Sequence, residues 1–151
     1  MKVLHIINNL GSGGAEKLIE ESLPLLNKIE GVKVDVLLLT DVNNVFQNNL
    51  NEFDINVLPL KKVYSPLNIF YIRNFIIKGK YNIVHTHLFP TNYWTSIASK
   101  LIFKNKPSFI TTEHNTHNRR REKFYFRFID RFIYSNYSRV ISISQKKLRK
   151  I

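Results

Sequence analysis

The sequence contains no cysteine. A disulfide framework and a thiolate metal site are therefore excluded, and a reducing compartment such as the cytoplasm fits by default. Long hydrophobic runs are also missing. Met1-Lys2 is followed by only five mostly apolar residues before Asn8-Asn9, too few for a secretory signal core, and no stretch approaches the ~20 residues of a bilayer-spanning helix. Neither export by a signal peptide nor an integral membrane segment is expected. Acidic side chains are scarce: 11 Asp and Glu stand against 23 Lys and Arg, a formal charge of +12. That excess favours an anionic partner, whether nucleic acid, acidic lipid or a phosphorylated small molecule, and its sign alone does not choose among them. The bland explanation for the scattered lysines is a compositional bias toward Asn, Ile and Lys.

What the chain does have is material for one core. Its 151 residues are 44% hydrophobic, enough for a single domain to bury its apolar surface and offset chain entropy. Apolar runs of strand length alternate with stretches of helical period. Val3 to Ile7 reads as a strand with His5 inside it, and the turn Asn9 to Gly14 ends it. A helix follows from Ala15, with Pro24 expected to kink or loosen its second half. Strands are expected at Val32 to Leu39, Ile55 to Leu60, Tyr81 to His87, Ser108 to Glu113 and Val140 to Ile143. Between them lie a short helix over Val42 to Leu50, one opened by Ser65-Pro66 and stopped by Gly79, one opened by Pro90, and a long one over Glu122 to Tyr137. Such alternation predicts an α/β, doubly wound, Rossmann-like parallel sheet in the order 3-2-1-4-5-6. Ser144 reads as the cap of a further helix with Leu148 and Ile151 on its apolar face, which suggests a longer polypeptide.

In an open parallel sheet, ligands bind beyond the carboxyl ends of the strands, where the strand order reverses. Three segments converge there: Asn8 to Glu16, His85 to Asn92 and Thr112 to Arg121. In the first, Gly11-Ser12-Gly13-Gly14 leaves a strand and opens a helix, so its backbone can approach a ligand and its free N–H groups favour a diphosphate; a plain structural turn is the alternative. Glu16 stands where a dinucleotide loop has its third glycine, and Walker A spacing fails at Lys17. In the second, His85 and His87 share one sheet face. The third holds His114 and His117. Four histidines near one edge raise zinc, but no carboxylate spacing accompanies them and His85 also reads as a satisfied interior residue, so no metal is expected. His114, just past a strand, is well placed for hydrogen bonding or proton handling with a substrate.

Four segments, Met1 to Glu16 (MKVLHIINNLGSGGAE), Asn82 to Pro90 (NIVHTHLFP), Ile110 to Asn115 (ITTEHN) and Val140 to Ser144 (VISIS), resemble, in order and spacing, the N-terminal domain of glycosyltransferase family four, one half of the GT-B fold. The resemblance implies an acceptor-side domain of a retaining enzyme that moves sugar from a nucleotide-sugar donor to a glycan or lipid-linked acceptor in cell-surface polysaccharide synthesis. The donor is a co-substrate, and no metal or other cofactor is implied. Gly13 and Gly14 would approach the donor diphosphate, and His114 would sit beside the transferred sugar as the catalytic candidate. His87, Glu113, Asn115, Arg119 and Arg120 are the substrate-binding candidates at the same edge. The family's Glu-x7-Glu motif, which holds the donor in a second domain, has no counterpart among these residues. Turnover by this chain alone is therefore not expected.

Arg119-Arg120-Arg121 leads into a basic, aromatic helix. Lys123, Arg127 and Arg131 form one row with Phe124 and Phe128 beside it, while Tyr125, Ile129, Phe132 and Ile133 are expected to face the core. At about 1 kcal/mol per basic residue near an anionic leaflet, four or five such residues supply roughly 4–5 kcal/mol, enough for weak peripheral attachment to the inner face of the plasma membrane. A core helix with a solvated charged face is the competing reading. Two other functions remain: a dinucleotide-binding Rossmann domain with Asp41 on the ribose, and a non-catalytic module binding anionic membranes. No nucleic-acid recognition motif is present, and the aromatics follow core periods rather than a stacking platform.

Overall fold

The computed structural model of the chain describes residues 1–114 and 124–143, with the side chains at 124, 125 and 127 left out. The elements follow in the order β1 (Lys2–Ile7), α1 (Gly14–Asn27), β2 (Lys33–Leu38), α2 (Gln47–Glu52), β3 (Asn56–Pro59), α3 (Asn68–Gly79), β4 (Ile83–His87), α4 (Thr91–Lys100), β5 (Ser108–Glu113), α5 (Phe124–Tyr134) and β6 (Arg139–Ser142). The strands form one six-stranded sheet, β3-β2-β1-β4-β5-β6, and every pairing is parallel. This is the doubly wound architecture that the alternating periods predict.

Register then sorts the side chains. Successive residues of a strand point to opposite faces, and paired residues of parallel neighbours share one. On one face lie Val3, His5 and Ile7, with Val34, Val36 and Leu38 of β2 and His85 of β4. Ile7, Val34, Val36 and Leu38 there pack against Ala15, Ile19 and Leu23 of α1 and Leu50 of α2. The opposite face carries Leu4, Ile6, Leu37, Val84 and Phe109, closed over by Ile72 and Ile76 of α3, Ala98 of α4 and Ile133 and Tyr134 of α5. Burying each Leu or Ile is worth about 1.5–3 kcal/mol, so both layers hold the sheet.

Several elements differ from the sequence expectations, each for a local reason. Pro24 is buried inside α1, which continues to Asn27 rather than loosening there. The segment before α2 stays irregular because the Asn44 side chain bonds the loop: its Oδ1 accepts from Leu10 N at 2.9 Å and its Nδ2 donates to Thr40 O at 3.2 Å. Ser65 and Pro66 form a turn ahead of α3, with Asn68 N donating to Ser65 O at 3.0 Å. The left-handed residue that ends α3 is Lys80 (φ 51°), not Gly79. Gly79 is demanded instead by a close approach, since a Cβ there would overlap the ring of Tyr81. Below the sheet, that tyrosine donates its hydroxyl to Asp35 Oδ2 at 2.7 Å, while Lys2 pairs with the same carboxylate at 3.0 Å.

The rotation of α5 is also a correction. Ile129 and Phe132, expected in the core, are 43% and 56% exposed, while Ile133 and Tyr134 are buried. Polar ties set this: Tyr93 bonds Asp130, Ser96 Oγ donates to Ile133 O at 2.9 Å, and Tyr134 bonds Glu113. Residues 130, 133 and 134 share one helical face, and pinning that face inward turns 129 and 132 outward.

Candidate functional site

Strand order reverses between β1 and β4. The loop after β1, the last residue of β4 and the residue after β5 thus meet at one carboxyl edge, bringing Gly11 to Gly14, His87 and His114 together there. Gly13 is the extended N-cap of α1 (φ -80°, ψ 168°). A side chain at Gly13 would overlap the Glu16 carboxylate, whereas open space surrounds Gly14. Glu16 lies in the first turn of α1, where a carboxylate complements the helix N-terminus.

Asn8 fastens the two sides of the crevice. Its Nδ2 donates to Phe89 O at 2.8 Å, and its Oδ1 accepts from Thr91 Oγ1 at 2.7 Å. The loop it holds contains Leu88 at φ 65° and a cis Phe89–Pro90 bond. A leucine in the left-handed region costs roughly 1–2 kcal/mol. The surrounding ties therefore define this turn more tightly than local preference does.

Below the loop, period-two geometry stacks imidazoles. His5 and His85 are register partners on β1 and β4, and His87 follows two residues along on the same face. His5 Nδ1 and His87 Nε2 share a hydrogen bond of 3.1 Å, and His87 Nδ1 and His114 Nε2 share another of 3.1 Å. His85 Nε2 bonds Thr112 Oγ1 at 2.8 Å. His5 and His87 are buried. Burial, then the neighbouring His85, lowers the pKa of His5 to about 3. Burial, then His114, lowers His85 to about 4. Burial first and the flanking imidazoles next hold His87 well below the usual histidine range. At neutral pH all three are uncharged and able to donate at one nitrogen and accept at the other.

Among the described residues, His5, His85 and His87 form a cluster whose ligand nitrogens lie within 4.8 Å of one another, a spacing one small cation spans. Both nitrogens of His87 are already engaged, by His5 and His114. A cation on the three would have to break one of these bonds.

Glu113 lies on the other face. Its buried carboxylate accepts from the Tyr134 hydroxyl and from Asn92 Nδ2, the latter at 3.4 Å. The Tyr137 hydroxyl, whose pKa burial pushes up, donates to Asn92 O at 2.5 Å. This network couples β5 to α4 and α5. Asn115, Arg119, Arg120 and Lys123 lie outside the described residues, as does the expected helix from Ser144, and the same is true of the side chains at Phe124 and Arg127. Phe128 is 67% exposed and Arg131 is exposed. Asp41 is exposed beyond the end of β2. No helix among the described residues is long and apolar enough to cross a membrane. Sequence reasoning placed His5 in its strand without a role, and placed Asn8 and Asn92 only as bounds of the converging segments, without the bonds that tie them. The signal for His5 was available, as a lone imidazole in an apolar run that pairs with the His-x-His strand.

A parallel α/β sheet with a glycine turn after its first strand and a polar cluster at its reversal point is the doubly wound arrangement in which ligands sit beyond the carboxyl ends of the strands. A model of Glycosyltransferase Family 4 matches residues 12–149. The chain belongs to that family. No curated protein matches the sequence. Among solved structures, a glycosyltransferase from Rickettsia africae is similar at a TM-score of 0.63 and 20% identity, over 95% of this chain and 42% of that one. HepE from Anabaena, in complex with UDP-glucose, is similar at 0.69 and 18%, over 96% and 38%. UDP-GlcNAc 2-epimerase from Neisseria meningitidis, bound to UDP-GlcNAc, is similar at 0.63 and 17%, over 91% and 39%. The chain thus spans about two fifths of the length of these structures.

Proposed function

We propose that this chain forms the acceptor-side wall of a retaining glycosyltransferase site, in which sugar passes from a nucleotide-sugar donor to a glycan or lipid-linked acceptor of a cell-surface polysaccharide. The observation that carries this reading is the meeting of the Gly13-Gly14 turn, His87 and His114 at the reversal edge of a chain that belongs to a glycosyltransferase family. In this reading Gly13 and Gly14 admit the donor diphosphate against the start of α1. His114 contacts the transferred sugar. His87, Asn115, Arg119 and Arg120 serve the substrates, and Glu113 supports the same edge from beneath through Tyr134 and Asn92. The family match favours transfer over epimerisation, which the fold likeness alone would equally allow, and Glu16 in place of a third glycine disfavours a dinucleotide.

The donor-binding wall belongs to a second domain in this reading, so the 151 residues alone lack turnover. In the full-length enzyme, His114→Ala lowers kcat by about 10²–10⁴-fold and raises the donor KM less. A folded His114→Ala enzyme with wild-type kinetics removes this residue from the reacting centre.

Peripheral membrane attachment through α5 is part of the same proposal, supported by the outward Phe128, Phe132 and Arg131. Co-sedimentation with vesicles containing anionic lipid should fall when Phe128 and Phe132 become Ser. Equal sedimentation of the variant would dismiss the attachment and leave the transferase reading intact.

A further inference from the structure

We propose that His5 and His87 are positioning residues for His114, joined to it in a relay of three imidazoles that couples the position of the proton on His114 to the positions on His87 and His5. The kinetic consequence rests on the reading of His114 given above; the relay itself does not.

The argument is one of donor and acceptor count. A neutral imidazole has one N–H and one lone pair. His87 uses both nitrogens, Nε2 toward His5 Nδ1 and Nδ1 toward His114 Nε2, each at 3.1 Å. It must therefore donate to one neighbour and accept from the other, and with His114 also neutral the three rings have only two consistent arrangements. In the first, His5 Nδ1–H donates to His87 Nε2, His87 Nδ1–H donates to His114 Nε2, and His114 carries its proton on Nδ1. In the second, every direction is reversed and His114 carries its proton on Nε2. His114 cannot change tautomer unless His87 and His5 change with it. A lone imidazole at a strand end would exchange its tautomers independently.

The fold makes the relay rigid. His5 and His87 sit on adjacent central strands of the sheet and are buried. Their rings lie edge to edge and nearly coplanar, 5.3 Å between centroids and 14° between planes, as an in-plane hydrogen bond requires. His85 braces His87 from the side, its centroid 4.2 Å away, and is itself held by Thr112. Only His114 lies past the strand end, where β5 gives way to a loop. Information about ring orientation thus runs from the core outward to the proposed site. In metal centres, a second hydrogen bond on an imidazole fixes its tautomer in the same way.

Asparagine places its amide nitrogen near the position of histidine Nδ1, and glutamine near that of Nε2, so the atoms used make an asymmetric prediction. His5 enters the relay through Nδ1 alone, and His5→Asn should preserve it, whereas His5→Leu should not. His87 needs both nitrogens, so His87→Asn and His87→Gln should each break one link.

The test is nitrogen-15 NMR of the histidine rings in the full-length protein, combined with kinetics. Expected are scalar couplings across the His5–His87 and His87–His114 hydrogen bonds, and His114 ring shifts that move in His5→Leu and return in His5→Asn. The kcat should fall about 10-fold or more in His5→Leu at little cost in KM, since misplacing a catalytic tautomer costs up to about 10⁴-fold in a hydrolase triad. Absence of both couplings in the wild-type protein overturns the relay, even if no variant folds. So does a folded His5→Leu protein whose His114 shifts are unchanged. Loss of either coupling on adding stoichiometric Zn²⁺ would also overturn it, in favour of a metal centre on His5, His85 and His87. If the couplings are present but His114→Ala has normal turnover, the relay stands and the role of His114 in transfer fails.

Discussion

Lowering the pH should unfold this protein far earlier than its carboxylates alone would. The perturbation is protonation of buried imidazoles. In the unfolded chain a histidine titrates near 6.5, while in the native sheet His5 titrates at about 3 and His85 at about 4. Both native values are depressed, so between those limits the unfolded state binds more protons and stability falls as the pH falls. At pH 5 each residue forgoes about 1.4 kcal/mol for each of about 1.5 pH units, or about 2 kcal/mol, giving about 4 kcal/mol for the two. His87 acts in the same direction. Against a total of about 5–15 kcal/mol for a domain, that is a large fraction. Asp35 does not confound the measurement. Burial raises its pKa, but hydrogen bonds from Asn56, Tyr81 and Lys2 outweigh burial and leave it below 3.8, so the stability it supplies is lost only under stronger acid. Urea titrations at pH 7.5, 6.0 and 5.0, followed by fluorescence of the single tryptophan Trp94, read the effect directly. His5→Leu should flatten the pH dependence by about 2 kcal/mol between pH 7.5 and 5. Equal midpoints at pH 7.5 and 5.0 in the wild-type protein would refute the claim that these imidazoles are held neutral.

Two further outcomes concern the scaffold. Gly79→Ala should destabilise by about 1–3 kcal/mol in the same titrations, although alanine normally favours a helix, because the new methyl group overlaps the Tyr81 ring; a neutral or stabilised variant would show that the ring yields. Tyr134→Phe should cost about 1–3 kcal/mol by removing a donor to the buried Glu113 carboxylate, and its thermal midpoint should fall without loss of helical circular dichroism; an unchanged midpoint would deny the network a structural role.

The sheet was legible in the sequence because its signals are periodic and redundant. Six apolar runs, each bounded by a turn or a helical stretch, admit few parallel arrangements, and the observed order is the one they predict. Boundaries were less legible, because side chains decide them. Nothing in the pattern of residues 42–50 reveals that Asn44 bonds the loop around Leu10 and Thr40 instead of joining a helix. Gly79 invited the reading of a left-handed stop, yet the left-handed residue is Lys80 and the glycine answers to Tyr81. The direction of α5 was misread because its apolar residues outnumber the positions the core can take. Polar ties to Tyr93, Ser96 and Glu113 choose the buried face, and single-sequence periodicity carries no term for them.

The same parity that hides a residue from composition can expose it to geometry. Glu113 and His114 are adjacent in sequence, so on an extended strand end they point to opposite faces. Their environments differ accordingly: the carboxylate enters the network under α4 and α5, while the imidazole reaches across the edge to His87. A motif read as a string makes the two equivalent site candidates. Read as alternating positions on β5, it divides the labour, one residue anchoring the helical layer and the next meeting the crevice. The division extends down the sheet, because residues paired in register with the histidine's side must lie on the same face. His85 pairs with His5 on β1, and His87, two residues further along β4, pairs with Thr112 on β5. A polar residue two positions before a proposed site residue, or opposite it in register, is therefore a candidate support for that residue even when burial hides it from any ligand. By that criterion His85 and Thr112 support the site, and His5, which never reaches the edge, joins it through its hydrogen bond to His87.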